Sequence, residues 1–159
     1  MRKTVLTIIL LASIRICFGG NPMQDLIRNA GNASDYPSDN LVVIFDSIRT
    51  DVKESGLSYV TTHTLTKILT AKGAVDQSTV KFGYDPLSAY VDIKKVVIYK
   101  NDGTIRELDP SKTMDYPAPA RMIYWGAREK MMAIGRLEPG DAVEVIGFRK
   151  GFTYALLGQ

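Results

Sequence analysis

A chain of 159 residues, 45% of them hydrophobic and 23% charged, has the composition of one globular domain and excludes a collagenous, disordered or polytopic membrane protein. Its formal net charge of +3 comes from 20 Lys and Arg against 17 Asp and Glu, but Arg2, Lys3 and Arg15 all precede the first acidic residue. Beyond residue 19 the charges balance, and a neutral domain without a basic stripe has little means of displacing counterions from a nucleic acid, so no nucleic-acid partner is expected.

Met1-Arg2-Lys3 is a short positive start, and Val5 to Ile14 is an apolar run too short to span a bilayer. Residues 1–19 therefore read as a secretory signal cleaved after Gly19, with small side chains at Cys17 and Gly19, and no stable membrane anchor is expected. A lipoprotein site at Cys17 fits poorly, because Ile16 and Arg15 precede it where small residues belong. Cleavage after Gly19 removes the only cysteine, so the mature chain has no disulfide and no thiol nucleophile. The expected location is periplasmic or cell-surface.

Residues 20–40 read as a short helix and linker. Met23, Leu26, Ile27 and Ala30 have helical spacing behind Pro22, and Gly31 stops the helix. Asn32 to Asn40 is polar; its Asn32-Ala33-Ser34 matches a glycosylation acceptor that a bacterial source would make irrelevant. Residues 41–159 are expected to form an all-β domain. Leu41 to Val52 begins as an unbroken apolar run, buried on both faces, and then alternates. Lys53-Glu54-Ser55-Gly56 reverses the chain into a Thr-rich strand over residues 57–70, giving a long hairpin. Lys72-Gly73-Ala74 breaks that strand, Ser78 to Tyr84 is a shorter one, and Asp85-Pro86 closes it.

Val91 to Tyr99, the turn Asn101-Asp102-Gly103, and Thr104 to Leu108 form a second hairpin, the clearest local signal in the chain. Tyr116-Pro117-Ala118-Pro119-Ala120 is irregular, since two such prolines forbid a sheet interior. Met122 to Trp125 and Lys130 to Ile134 are strand candidates. Glu138-Pro139-Gly140-Asp141 has type II turn chemistry, and Ala142 to Phe148 alternates as a strand. About eight strands without intervening helices predict an antiparallel β-sandwich. The apolar run Gly151 to Gln159 lacks a polar tail and reads as continuing into a longer polypeptide.

The order of these elements carries a resemblance: Lys67-Ile68-Leu69-Thr70 with Gly73, then Asn101-Asp102-Gly103-Thr104, Asp109-Pro110, and Leu137-Glu138-Pro139-Gly140-Asp141-Ala142-Val143-Glu144. It resembles the uncharacterised N-terminal domain that precedes a transglutaminase-like domain in exported bacterial proteins of the Bacteroides type, over roughly residues 40 to 157. The resemblance implies a β-sandwich module flanking a papain-like domain in cis, with the Cys, His and Asp of catalysis lying downstream and no catalytic residue, metal or cofactor in this segment.

The residues themselves point the same way. His63 is the sole histidine; a triad would need a nucleophile and an orienting carboxylate beside it, and a zinc site at least two more N or S ligands. Ordinary packing or solvent contact is the expectation. A calcium loop around Gly103 fails on register, because Ile98 and Lys100 fall where oxygen ligands belong. Tyr116, Tyr124 and Trp125 concentrate aromatics on irregular backbone, where they either cap the core or bind a glycan or protein partner. The reading is a non-catalytic accessory or interaction domain; a glycan-binding sandwich is the alternative, and a hydrolase built on His63 ranks below both.

Overall fold

The computed structural model describes residues 21–118 and 126–152. Among these residues two α-helices, α1 (Pro22–Asn29) and α2 (Ala71–Asp76), and a 3-10 turn at Pro110–Lys112 accompany eight strands: β1 (Leu41–Val52), β2 (Leu57–Ile68), β3 (Thr79–Tyr84), β4 (Ala89–Tyr99), β5 (Ile105–Leu108), β6 (Met114–Pro117), β7 (Arg128–Ala133) and β8 (Ala142–Phe152). The strands form two antiparallel sheets, one in the order β1-β2-β8-β4-β5 and one in the order β3-β7-β6. The expected all-β sandwich is the observed fold.

Both hairpins form where turn chemistry placed them, and by the same device. Lys53 N–H donates to the Leu57 carbonyl and Gly56 N–H to the Lys53 carbonyl; Lys100 N–H donates to Thr104 and Gly103 N–H to Lys100 in the same way. Gly56 and Gly103 close these three-residue loops at φ +80 and +89, a region that a side chain resists. The Glu138–Asp141 turn also forms, with Asp141 N–H donating to the Glu138 carbonyl. Its Asp141 carboxylate, 1% exposed, accepts from Lys100 Nζ at 2.5 Å, from Asn101 N–H at 3.0 Å and from Glu138 N–H at 2.8 Å. One acid thus ties this turn to the β4–β5 hairpin.

The late strand β8 runs between β2 and β4, so it gives the larger sheet its centre and its two faces. Val143 and, less deeply, Val145 join Ile98, Ile68, Val80 and Met132 in the core between the sheets. Ala142 faces the other way, into a second cluster with Leu65, Val97, Tyr99 and Ile27 of α1. Each such large apolar side chain stabilises the fold by about 1.5–3 kcal/mol on burial. The α1 helix lies on that face through Ile27 and Met23. Its start is capped by the Asn21 side chain, which accepts from Met23 N–H. Its end is held by Lys67 of β2, whose ammonium donates to the Ile27 and Gly31 carbonyls at 2.9 and 2.5 Å, where a cation also suits the helix dipole.

Three local expectations are corrected. The start of β1 is not buried on both faces: β1 is an edge strand, and Val43 is 61% exposed. A continuous apolar run predicts burial on both faces, but it is β8, not β1, that takes the middle of the sheet. Lys72-Gly73-Ala74 does more than interrupt β2, since it lies inside α2, whose first turn is capped by the Thr70 hydroxyl accepting from Gly73 N–H at 3.2 Å. Tyr116 and Pro117 are not irregular: they belong to β6, which pairs with β7 at the edge of the smaller sheet, a position that tolerates a proline lacking its N–H. The strand candidate Met122 to Trp125 lies outside the described residues.

Candidate functional site

The most concentrated polar chemistry lies on the α1 face of the larger sheet. Glu144 of β8 stands opposite Leu65 of β2 and Val97 of β4, and its residue is 2% exposed. Its carboxylate accepts from His63 Nε2 at 2.7 Å on one oxygen, and from the Tyr99 hydroxyl at 2.8 Å and Lys95 Nζ at 3.3 Å on the other. Phe45 of β1 packs edge-on to the His63 ring, with centroids 4.8 Å apart.

Two β-bulges assemble this group. Between Ile93 and Lys95 the register of β4 slips against β8, so Ile93 faces Gly147 but Lys95 faces Ile146. The slip turns Lys95 away from the inter-sheet core and onto the Glu144 face. Between Val43 and Phe45 the register of β1 slips against β2 in the same sense and brings Phe45 opposite Leu65. An extra residue in one strand of a ladder re-aims the side chains that follow it, and here both re-aimed side chains converge on one place.

Burial pushes the Glu144 carboxyl up, but hydrogen bonds from Tyr99 and His63 and the charge of Lys95 outweigh it and hold the group below its ordinary value. Burial first, then the bond to Glu144, pushes the Tyr99 phenol well above its ordinary range. Glu144 is therefore an ionised carboxylate in a low-dielectric setting with a donor on every side. Chemically the arrangement fixes the ring of His63, which must donate through Nε2–H to an ionised acceptor. Ser47 stands opposite His63 in the β1–β2 register, while the imidazole's hydrogen bond goes to Glu144.

A second polar group lies on the smaller sheet. The Tyr84 hydroxyl donates to Asp115 Oδ2 at 2.6 Å and Arg128 Nε to Asp115 Oδ1 at 2.8 Å, and the Tyr84 bond, with Arg128, holds the Asp115 carboxyl low. Tyr116 follows Asp115 on β6, 41% exposed, with its hydroxyl donating to Met114 Sδ at 2.8 Å. Of the aromatic surface anticipated from the sequence, the structure thus places Tyr116 on a strand rather than a loop; Tyr124 and Trp125 lie outside the described residues. The clefts among the described residues include one of about 280 Å³ between α1 and the β4–β5 turn and one of about 490 Å³ between α2 and residues 135–139. Among the described residues no group of three or more His, Cys, Asp and Glu side chains could hold a metal ion.

This sandwich, with a helix on one face and a polar group beneath it, is a β-domain of a known family. Domain of Unknown Function with solved-structure structure (DUF3857) matches residues 54–159, and the chain belongs to that family. No curated protein matches it. A solved structure from Parabacteroides distasonis ATCC 8503, titled a "putative protease", shares the fold with a TM-score of 0.59 at 13% identity; the match covers 70% of this chain and 23% of that one. The chain therefore spans less than a quarter of that protein. Two carbohydrate-binding module structures from the cipA scaffoldin of Clostridium thermocellum align at 15% and 13% identity over 72% and 70% of this chain and 69% and 76% of theirs. With TM-scores of 0.40 and 0.37 they bear on neither fold nor function.

Proposed function

We propose that the chain is an exported, non-catalytic accessory domain that packs beside a transglutaminase-like, papain-fold domain of the same polypeptide. The observation that supports it most is the likeness to a part, about a quarter, of a larger protein titled a protease: a β-domain of this kind there accompanies a much longer remainder. The signal-like composition of residues 1–19 fits the same reading. In it, Glu144 and its donors are a structural device: they orient His63 and tie β2, β8 and β4 together on the α1 face, and catalysis belongs to the partner domain.

The test is the coding sequence beyond codon 159 together with activity of the full-length product. A downstream domain with Cys, His and Asp, and full activity in a His63→Ala variant, are expected. A stop codon there, or loss of all activity on His63→Ala in a protein that still folds, overturns the proposal, the latter in favour of a hydrolase. Export is tested separately by N-terminal sequencing, expected to begin at Gly20; an intact Met1 in the cytoplasm contradicts it.

A further inference from the structure

We propose that the free edge of β1 pairs with a second copy of this chain, antiparallel about a two-fold axis through Thr50. Among the described residues β1 pairs only with β2, and residues 46–52 are all exposed. Lys53 N–H points inward to Leu57. By the alternation of an antiparallel ladder, Ile48, Thr50 and Val52 then turn their N–H and C=O groups outward to the open edge. An unpaired edge of this length is a template for another strand, and natural sheets normally blunt it with charged side chains, proline or a bulge. The bulge of β1 lies between Val43 and Phe45; the stretch Ile48-Arg49-Thr50-Asp51-Val52 has no proline or bulge, and its two charges are of opposite sign.

That stretch is complementary to itself. With the axis at Thr50, Thr50 faces its own copy as a hydrogen-bonded pair, Ile48 faces the copy's Val52, and Arg49 faces the copy's Asp51. Each of these pairs occurs twice. Ile48 and Val52, 64% and 56% exposed, share the sheet face of Thr62 and Gly147, which looks towards the smaller sheet, but lie exposed at its rim, so pairing joins four apolar side chains that are wet in one copy. On the opposite face Arg49 and Asp51 form the closely spaced, non-hydrogen-bonded pairs in which cross-strand charges interact best. Asp51 already accepts from Lys53 Nζ at 2.9 Å, and in the dimer it lies between that ammonium and the copy's guanidinium. Neighbouring registers lack this match: an axis at Arg49 sets the two guanidiniums against each other, and one at Asp51 sets the two carboxylates together. A two-fold contact that is its own complement closes after two copies.

Sedimentation of the full chain is expected to give a dimer. Arg49→Asp and Asp51→Arg should each give a monomer with an unchanged circular dichroism spectrum, and the double exchange Arg49→Asp/Asp51→Arg should restore the dimer. Thr50→Pro should also give a folded monomer, because it removes an N–H that β2 does not use. The proposal is overturned if the unaltered chain stays monomeric at its solubility limit, whether or not the Thr50 amide is protected from exchange by some other segment. It is overturned equally by a dimer that survives Arg49→Asp and Thr50→Pro, or by a double exchange that fails to restore association.

Discussion

Replacing Glu144 by Gln keeps the shape of the side chain and removes its charge, which makes it the sharpest probe of the group on the α1 face. In the native protein three donors meet this carboxylate. The Tyr99 hydroxyl bond is buried and charge-assisted, worth about 1.5–3 kcal/mol. Lys95 and His63 have side chains 36% and 31% exposed, so solvent screening leaves each about 0–1 kcal/mol. A Gln amide accepts through one atom only and turns an N–H₂ towards donors on its other side, so the expected loss is about 2–4 kcal/mol, read as a lower urea midpoint at pH 7 with an unchanged slope. Tyr99→Phe alone should cost about 1.5–3 kcal/mol, and the double variant should cost less than the sum, because both remove the same bond. The pH dependence follows from the carboxyl being held below its ordinary value of 4.5. A depressed folded-state value contributes stability that is present above the ordinary value and lost as pH falls through the folded one. The gap between wild type and Glu144→Gln should therefore close as the medium is acidified below about pH 4.5. Additive costs in the double variant, or a gap that persists unchanged into strong acid, would refute the account of Glu144 as a charged hub.

Three further outcomes are expected. Gly147→Ala sets a methyl 2.5 Å from Phe82 Cζ and 2.6 Å from Thr62 Oγ1 between the sheets, and should lower stability by about 1–3 kcal/mol, whereas Gly83→Ala, with nothing within 4 Å, should be neutral or slightly stabilising in the same melting experiment. Asp141→Ala strands the Asn101 and Glu138 N–H groups and should cost about 3 kcal/mol, with hydrogen exchange rising first in the β4–β5 turn. Tyr116→Ala should leave the unfolding midpoint almost unmoved, because the ring is exposed. If glycan or partner binding falls with it, the aromatic surface anticipated around Tyr116, Tyr124 and Trp125 is a binding face, and if neither changes, Tyr116 has no part in one.

The strands were legible because their signals are local. Asp102-Gly103 and Glu138-Pro139-Gly140-Asp141 demand particular turns whatever surrounds them, and the alternation after each turn sets where a strand runs. Which strand sits at the centre is a different kind of fact. Leu41 to Phe45 is the more continuous apolar run, yet β8 takes the middle of the sheet and β1 its rim. Pairing across about 80 to 90 residues of chain, such as Thr61 with Phe148 or Thr64 with Val145, leaves no mark in either segment alone. The α2 helix was obscured for a related reason. Gly73 inside Ala71–Asp76 lowers helix propensity, and its place there follows from the close approach of the Asn40 carbonyl, a contact that only the folded chain supplies.

The site was hidden by the same parity rule that found the strands. In an alternating strand Val143 and Val145 mark the inward face, which assigns Glu144 to solvent; it is buried because α1, some 115 residues earlier in the chain, returns over the opposite face through Ile27. Lys95 shares parity with Ile93, and Phe45 with Val43, so simple counting sends both to the inter-sheet side. Each is turned round by a bulge, and neither bulge carries a glycine or any other mark in the sequence. Two register slips and one helix together convert His63 from an isolated strand residue into the partner of a buried carboxylate. The slip in β4 should then be functional in the structural sense. Lys94 is the extra residue of that slip, so deleting it sets Lys95 directly after Ile93 in a regular ladder, and simple alternation still turns Lys95 to the Glu144 face. The deletion should therefore leave Glu144 its three donors and cost less than the roughly 2–4 kcal/mol expected for Glu144→Gln. A deletion as costly as Glu144→Gln in urea unfolding would show that the strand does not rejoin in this register and that the extra residue is not what reconciles the two faces of β4.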